Sequence, residues 1–90
     1  MSNHERWKQQ VESLKTARDE LRVRAHLGQA ELRDAWERAE TKWQRLEWEL
    51  NRMRSESDAP LGEVGEGING LLLELREGYR RIRDSLERDA

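Results

Sequence analysis

The residues able to do chemistry in this chain are poorly placed for it. Its two histidines, His4 and His26, lie 22 positions apart on what reads as a single helix. One metal ion cannot take both from one chain, and a zinc centre needs three or four converging His, Cys or carboxylate ligands. There is no cysteine. Both histidines therefore read as surface side chains. The 19 carboxylates are spread along the sequence, and nothing singles out an acid/base pair. Such a pair needs a cleft whose burial shifts its pKa. No Ser-His-Asp order stands out. The glycine cluster "GEVGEGING" (residues 62–70) lacks the Lys-Ser/Thr ending of a phosphate loop. It also fits no G-x-G-x-x-G turn after a strand. The expectation is no catalytic residue, no metal, no cofactor and no enzyme.

What remains is aromatic. Three of the four tryptophans, Trp36, Trp43 and Trp48, fall in "ELRDAWERAETKWQRLEWEL" (residues 31–50), where most neighbours are charged. Each ring can bury 150–250 Å², and the elements that position them set what they do. Residues 5–54 hold one glycine, Gly28, and no proline. Glu, Arg, Leu, Ala, Gln and Lys dominate, all cheap in helical conformation. Opposite charges recur at i, i+4: Lys8 with Glu12, Glu20 with Arg24, Arg33 with Glu37, Asp34 with Arg38. These features predict one helix over about 4–54, roughly 75 Å long at 1.5 Å per residue. "SESDAP" (55–60) predicts a turn, with Pro60 suited to the first turn of a second helix over about 61–87. The expected fold is all-α, a hairpin of one long and one shorter helix forming a single domain over 1–90, assembled as an oligomeric coiled-coil bundle.

The apolar positions carry the oligomer argument. Trp7, Val11, Leu14, Leu21, Ala25, Gly28, Leu32, Trp36, Ala39 and Trp43 follow steps of three and four, with Arg18 the one charged exception. Two successive steps of four, Gly28–Leu32–Trp36, form a stutter. Leu46, Leu50 and Met53 continue this edge. Leu61, Val64, Ile68, Leu72, Leu75, Tyr79 and Ile82 form the facing edge of the second helix. A helix of that length covers only the half of the first helix nearest the turn. The other half, with Trp7, Val11 and Leu14, is expected to meet a second copy, in an antiparallel homodimer (with a parallel one the competing arrangement) or a larger assembly, or another helical protein. Trp48 lies off this edge, as do Val23 and Leu27. Trp48 reads as a ring along neighbouring arginine stems or as a partner anchor. A junction of these residues across chains would enlarge the assembly.

Composition narrows the partners. The chain has 90 residues, 40% charged and 34% hydrophobic, room for one small domain with a modest core. Basic residues number 17 against 19 acidic, for a net charge of −2, which argues against nucleic acid. "MSNHERWKQQ" has no apolar segment of the kind a secretory signal needs, and the Leu71–Leu73 run is far below the roughly 18 residues that span a bilayer. A cytoplasmic location is the default. The locally basic stretch "LREGYRRIRDSL" places Arg76, Arg80, Arg81 and Arg83 around Tyr79. Its alternative reading is a peripheral membrane contact through the amphipathic helix 71–86. Glu74, Glu77, Asp84 and Glu87 dilute that charge and rank it below helix packing.

The stretch "ARDELRVRAHLGQAELRDAWERAETKW" followed by "LREGYRRIRDSL" resembles short bacterial coiled-coil proteins. Those are helical and charge-rich, with tryptophan in a D-x-W-E-x-x-E setting, and some are labelled stress-response proteins. The resemblance covers about residues 12–86. It implies a bacterial helical protein and assigns no functional residue.

Overall fold

The computed structural model describes the backbone of residues 3–55 and 61–88 and the side chains of residues 5–53 and 65–88. It contains three helices, α1 (Asn3–His26), α2 (Ala30–Ser55) and α3 (Leu61–Arg88). No strand occurs among the described residues. Most of the turn expected at 55–60 lies outside them, as do the side chains of Leu61 and Val64.

The continuous helix expected over 4–54 is two helices, broken at residues 27–29. The local chemistry explains where. The Gly28 amide donates to the Ala25 carbonyl at 3.2 Å, a tight closing turn for α1. The Gln29 carbonyl then accepts from Leu32 and Arg33 at 3.0 and 3.1 Å, opening α2. A helical glycine costs about 1 kcal/mol relative to alanine, so Gly28 is the weakest link of the fifty-residue stretch. Close approach adds a second reason. A Cβ on Gly28 would stand 2.3 Å from Leu32 Cδ2, so the leucine occupies the space a side chain would need. The stutter Gly28–Leu32–Trp36 therefore marks a chain reversal rather than a local unwinding of one long helix.

Cross-helix contacts give the topology. Arg18 faces Glu40, and His26 faces Trp36, so α1 and α2 run antiparallel. Trp36 meets Tyr79, and Lys42 meets Glu74, so α3 runs antiparallel to α2. Trp7 bonds Asn69, and Glu20 meets Arg83, so α3 runs parallel to α1. The result is an up-down-up bundle measuring 47 × 24 × 17 Å.

Folding back gives the apolar edge of α1 a cover within its own chain. Trp7 and Leu14 are each 8% exposed and Leu21 1%. They join Ala25, Leu32, Trp36, Ala39, Trp43, Leu46, Ile68, Leu71, Leu72, Leu75, Tyr79 and Ile82 in one core. Val11, Leu50 and Met53 pack partly buried against it, and Gly28 is half-buried. Within this chain the apolar edge of α1, expected to meet a second copy, is covered by α2 and α3 instead. Burial at about 25 cal/mol per Å² of apolar surface rewards reversal, at the expense of a few helical hydrogen bonds around residue 28.

The glycine-rich start of α3 is helical from Leu61. At Gly65 it lies against the Trp7 ring, at ordinary van der Waals distance from where a Cβ would sit (3.5 Å). Gly67 and Gly70 have open space around a Cβ.

Two measurements check this fold. X-ray scattering from dilute protein should give a radius of gyration near the 14.4 Å of the Cα trace, whereas a rod about 75 Å long would exceed roughly 20 Å. In urea titrations, Leu46→Ala at the fully buried position should cost about 2–5 kcal/mol. Gly67→Ala and Gly70→Ala should each add about 0.5–1 kcal/mol.

Candidate interaction surface

The middle of the bundle is polar at one point. Arg18, the charged exception on the apolar edge of α1, reaches across to Glu40 of α2. Its Nε donates to Oε1 at 2.6 Å and its second nitrogen to Oε2 at 2.9 Å. The pairing is bidentate, the geometry in which guanidinium and carboxylate bind best. The Arg18 guanidinium also lies over the Trp43 ring, 5.3 Å from its centroid. Both side chains keep about a quarter or less of their surface in water, 21% and 25%. The hydrogen bond to Glu40 holds the Arg18 pKa above its usual value, against the desolvation that lowers it. Sequence reasoning saw that Arg18 was out of place but did not find Glu40. A charge on an apolar edge signals a partner of opposite sign, and only the antiparallel register of α1 and α2 says which carboxylate it is.

Tyr79 of α3 stacks at a tilt against Trp36, with centroids 6.1 Å apart. It is 3% exposed, and its hydroxyl has no hydrogen-bond partner. Burial, then the negative charge of Glu40, push its pKa well above the usual tyrosine value near 10, against the opposing pull of Arg18. The cluster reads as an interior fastening. Among the described residues no group of three or more His, Cys, Asp or Glu could hold a metal ion. His26 turns its Nδ1 to the Arg22 carbonyl at 2.9 Å and its ring edge to Trp36.

The Trp7 indole donates to Asn69 Oδ1 at 2.8 Å, a second partner that the sequence left unseen. Asn69 also lines an open groove of about 600 Å³ between α1 and α3, with Gln9, Gln10, Ser13 and Arg76. A second groove, between α2 and α3, is flanked by Arg38, Arg81 and Arg88. Each of these arginines has a carboxylate one turn earlier, at Asp34, Glu77 and Asp84. The rim is therefore electrically mixed and selects no anion.

The basic stretch of α3 separates into two sides. Leu71, Leu72, Leu75, Tyr79 and Ile82 are buried in the core, while Arg76, Arg80, Arg81 and Arg83 point outward. Arg80 lies 3.8 Å from Glu77 and Arg83 lies 3.5 Å from Glu20. The apolar face that a membrane contact would use is thus spent inside the bundle. No helix among the described residues is long and apolar enough to cross a membrane.

Among the described residues, four large apolar side chains stand in water: Val23, Leu27, Trp48 and Leu73. Trp48 is the odd one among the tryptophans. Trp7, Trp36 and Trp43 are at most 8% exposed, whereas Trp48 is 59% exposed. Arg52 stacks over its ring at 5.6 Å, the arginine-stem arrangement, yet most of the ring stays open. With 3.6 residues per turn, Thr41, Gln44, Arg45, Asn51 and Arg52 share its strip of α2. From Thr41 to Arg52 that strip carries two arginines around an indole and no carboxylate, with Glu47 and Glu49 about 100° to either side and Glu37 three turns before Trp48 on the same line.

No family model matches this chain, and no curated protein or solved structure matches it. The likeness to short bacterial coiled-coil proteins gains nothing from these comparisons, and the geometry alone supports a functional reading.

The alkaline limb of stability tests the buried state of Tyr79. The folded state holds the phenol neutral, while the unfolded chain ionises near pH 10. Above that pH the unfolded state binds fewer protons, so stability should fall as pH rises past 10. Because the chain has one tyrosine, phenolate absorbance reads the group directly and should appear only as the protein unfolds. Tyr79→Phe should remove this alkaline loss. At neutral pH it should also stabilise the fold by about 1 kcal/mol, since it deletes an unpartnered buried hydroxyl.

Proposed function

We propose that this protein is a non-catalytic interaction module that associates with itself through the outer face of α2 around Trp48. One observation carries the reading: of the chain's five aromatic side chains the core buries four, three of them tryptophans, and leaves Trp48 59% exposed between arginines. Tryptophan and arginine are the side chains most enriched among residues that dominate binding energy. The bundle closes its own core, so an exposed indole contributes nothing to folding. The residues first expected at a coiled-coil interface are consumed within the chain. Association is therefore assigned to the faces left outside rather than to the heptad edge.

A membrane role for helix 71–86 has less support, because its leucines and Ile82 are inside the core and insertion would require opening the bundle. A nucleic-acid role meets a net charge of −2. Long-range steering toward phosphate needs the opposite sign.

Sedimentation velocity tests the reading. Wild-type protein should show a sedimentation coefficient that rises with concentration between about 10 µM and 1 mM, the range of weak association. Trp48→Ala should stay monomeric over that range and keep its folding stability within about 0.5 kcal/mol, as expected for an exposed position. Equal behaviour of the two proteins would overturn the proposal.

A further inference from the structure

The second exposed apolar cluster lies at the end of α1. Val23 is 65% exposed and Leu27 84%. The Leu27 amide still donates to the Val23 carbonyl at 3.2 Å, so both side chains share one helical strip. Helical spacing places Glu12, Thr16, Asp19 and Glu20 within about 60° of Val23 on that strip. From Glu12 to Leu27 it carries three carboxylates and no lysine or arginine, with Arg22 and Arg24 about 100° to either side. Glu20 is partly engaged, 3.5 Å from Arg83, while Asp19 is exposed.

This strip is the converse of the one around Trp48. One presents an indole between Arg45 and Arg52, the other two aliphatic side chains beside Asp19 and Glu20. We propose that the Trp48 face of α2 in one copy docks on the Val23–Leu27 face of α1 in another copy, head to tail. The inference rests on the self-association reading above and names the surface that Trp48 meets. Charge complementarity selects this occupant. A Trp48–Trp48 contact about a two-fold axis would set Arg45 and Arg52 against their own copies, like charges in proximity. Docking on α1 sets them against carboxylates and covers both exposed apolar clusters at once.

Geometry then fixes the kind of assembly. Arg18 lies level with Glu40, which puts Val23 level with about residue 35 of α2, some thirteen residues from Trp48. At 1.5 Å per residue, the two faces lie about 20 Å apart along the bundle. The two faces belong to different helices, so each copy offers one of each. A heterologous contact of this kind makes a ring if its rotation closes and an open chain if it does not.

Mixing two variants tests the contact. Trp48→Ala removes the indole. Val23→Lys with Leu27→Lys places cations opposite Arg45 and Arg52, at a helix C-terminus that tolerates positive charge. Thermal unfolding should be nearly unchanged in both, because all three positions are exposed. Each variant alone should sediment as a monomer where wild type associates, with affinity reduced about tenfold or more. Mixed, they should form a one-to-one dimer and nothing larger, since each supplies the intact face the other lacks. Wild-type association should weaken as salt is raised, because the flanking charges are exposed.

Three results would overturn the inference in distinguishable ways. If wild type stays monomeric, the self-association reading falls and this contact with it. If Trp48→Ala abolishes association while the double lysine variant associates like wild type, the reading stands and the docking face is wrong. If both variants are monomeric and their mixture also stays monomeric, the contact is not head to tail.

Discussion

Trp7, Leu14 and Leu21 of α1 are covered by side chains that α2 and α3 bring to them, and the rest of the molecule depends on that cover. A chain that is 34% hydrophobic over 90 residues has little apolar surface to spend. Stability of a small domain is a narrow margin between burial and conformational entropy. A straight first helix would leave half its apolar edge in water. Reversal at residues 27–29 brings that half against α3 and closes one continuous core. Gly28 supplies the weak point, and Leu32 fills the space beside it.

Polar contacts at the margin of the core set the register. Bidentate Arg18–Glu40 and the Trp7–Asn69 hydrogen bond each tie α1 to a different helix. Polar groups in a bundle are satisfied at one alignment and left wanting at others. Shifting α1 by one turn against either neighbour would separate the pair. Tyr79 is the opposite case, a buried hydroxyl with no partner, tolerated because its ring packs against Trp36. Outside, ion pairs such as Lys42–Glu74 at 3.9 Å are loose and exposed, and they contribute little. Function in such a molecule has to come from the side chains the core did not absorb.

Helix content, the apolar positions and the isolation of Trp48 were all legible from spacing. Trp7, Leu14, Leu21, Trp36 and Trp43 were placed on the buried edge before any fold was known, because a period near 3.5 holds for any helix packing. Arg18 was legible as an anomaly. The same period says nothing about which helix supplies the cover, and a heptad edge looks alike in a dimer and in a bundle folded on itself.

The sequence by itself determined that the chain is helical, where its apolar edge runs, and which large side chains fall off that edge. Those follow from local propensity and from a repeat of three and four residues. Tertiary structure decided that the edge is sheltered within one chain, that Glu40 and Asn69 answer Arg18 and Trp7, and that Tyr79 is left without a partner. It also decided that the apolar face of residues 71–82 is interior and that Trp48 and Val23–Leu27 remain outside. The physical reason is that one glycine turn changes every long-range neighbour while leaving the local pattern untouched.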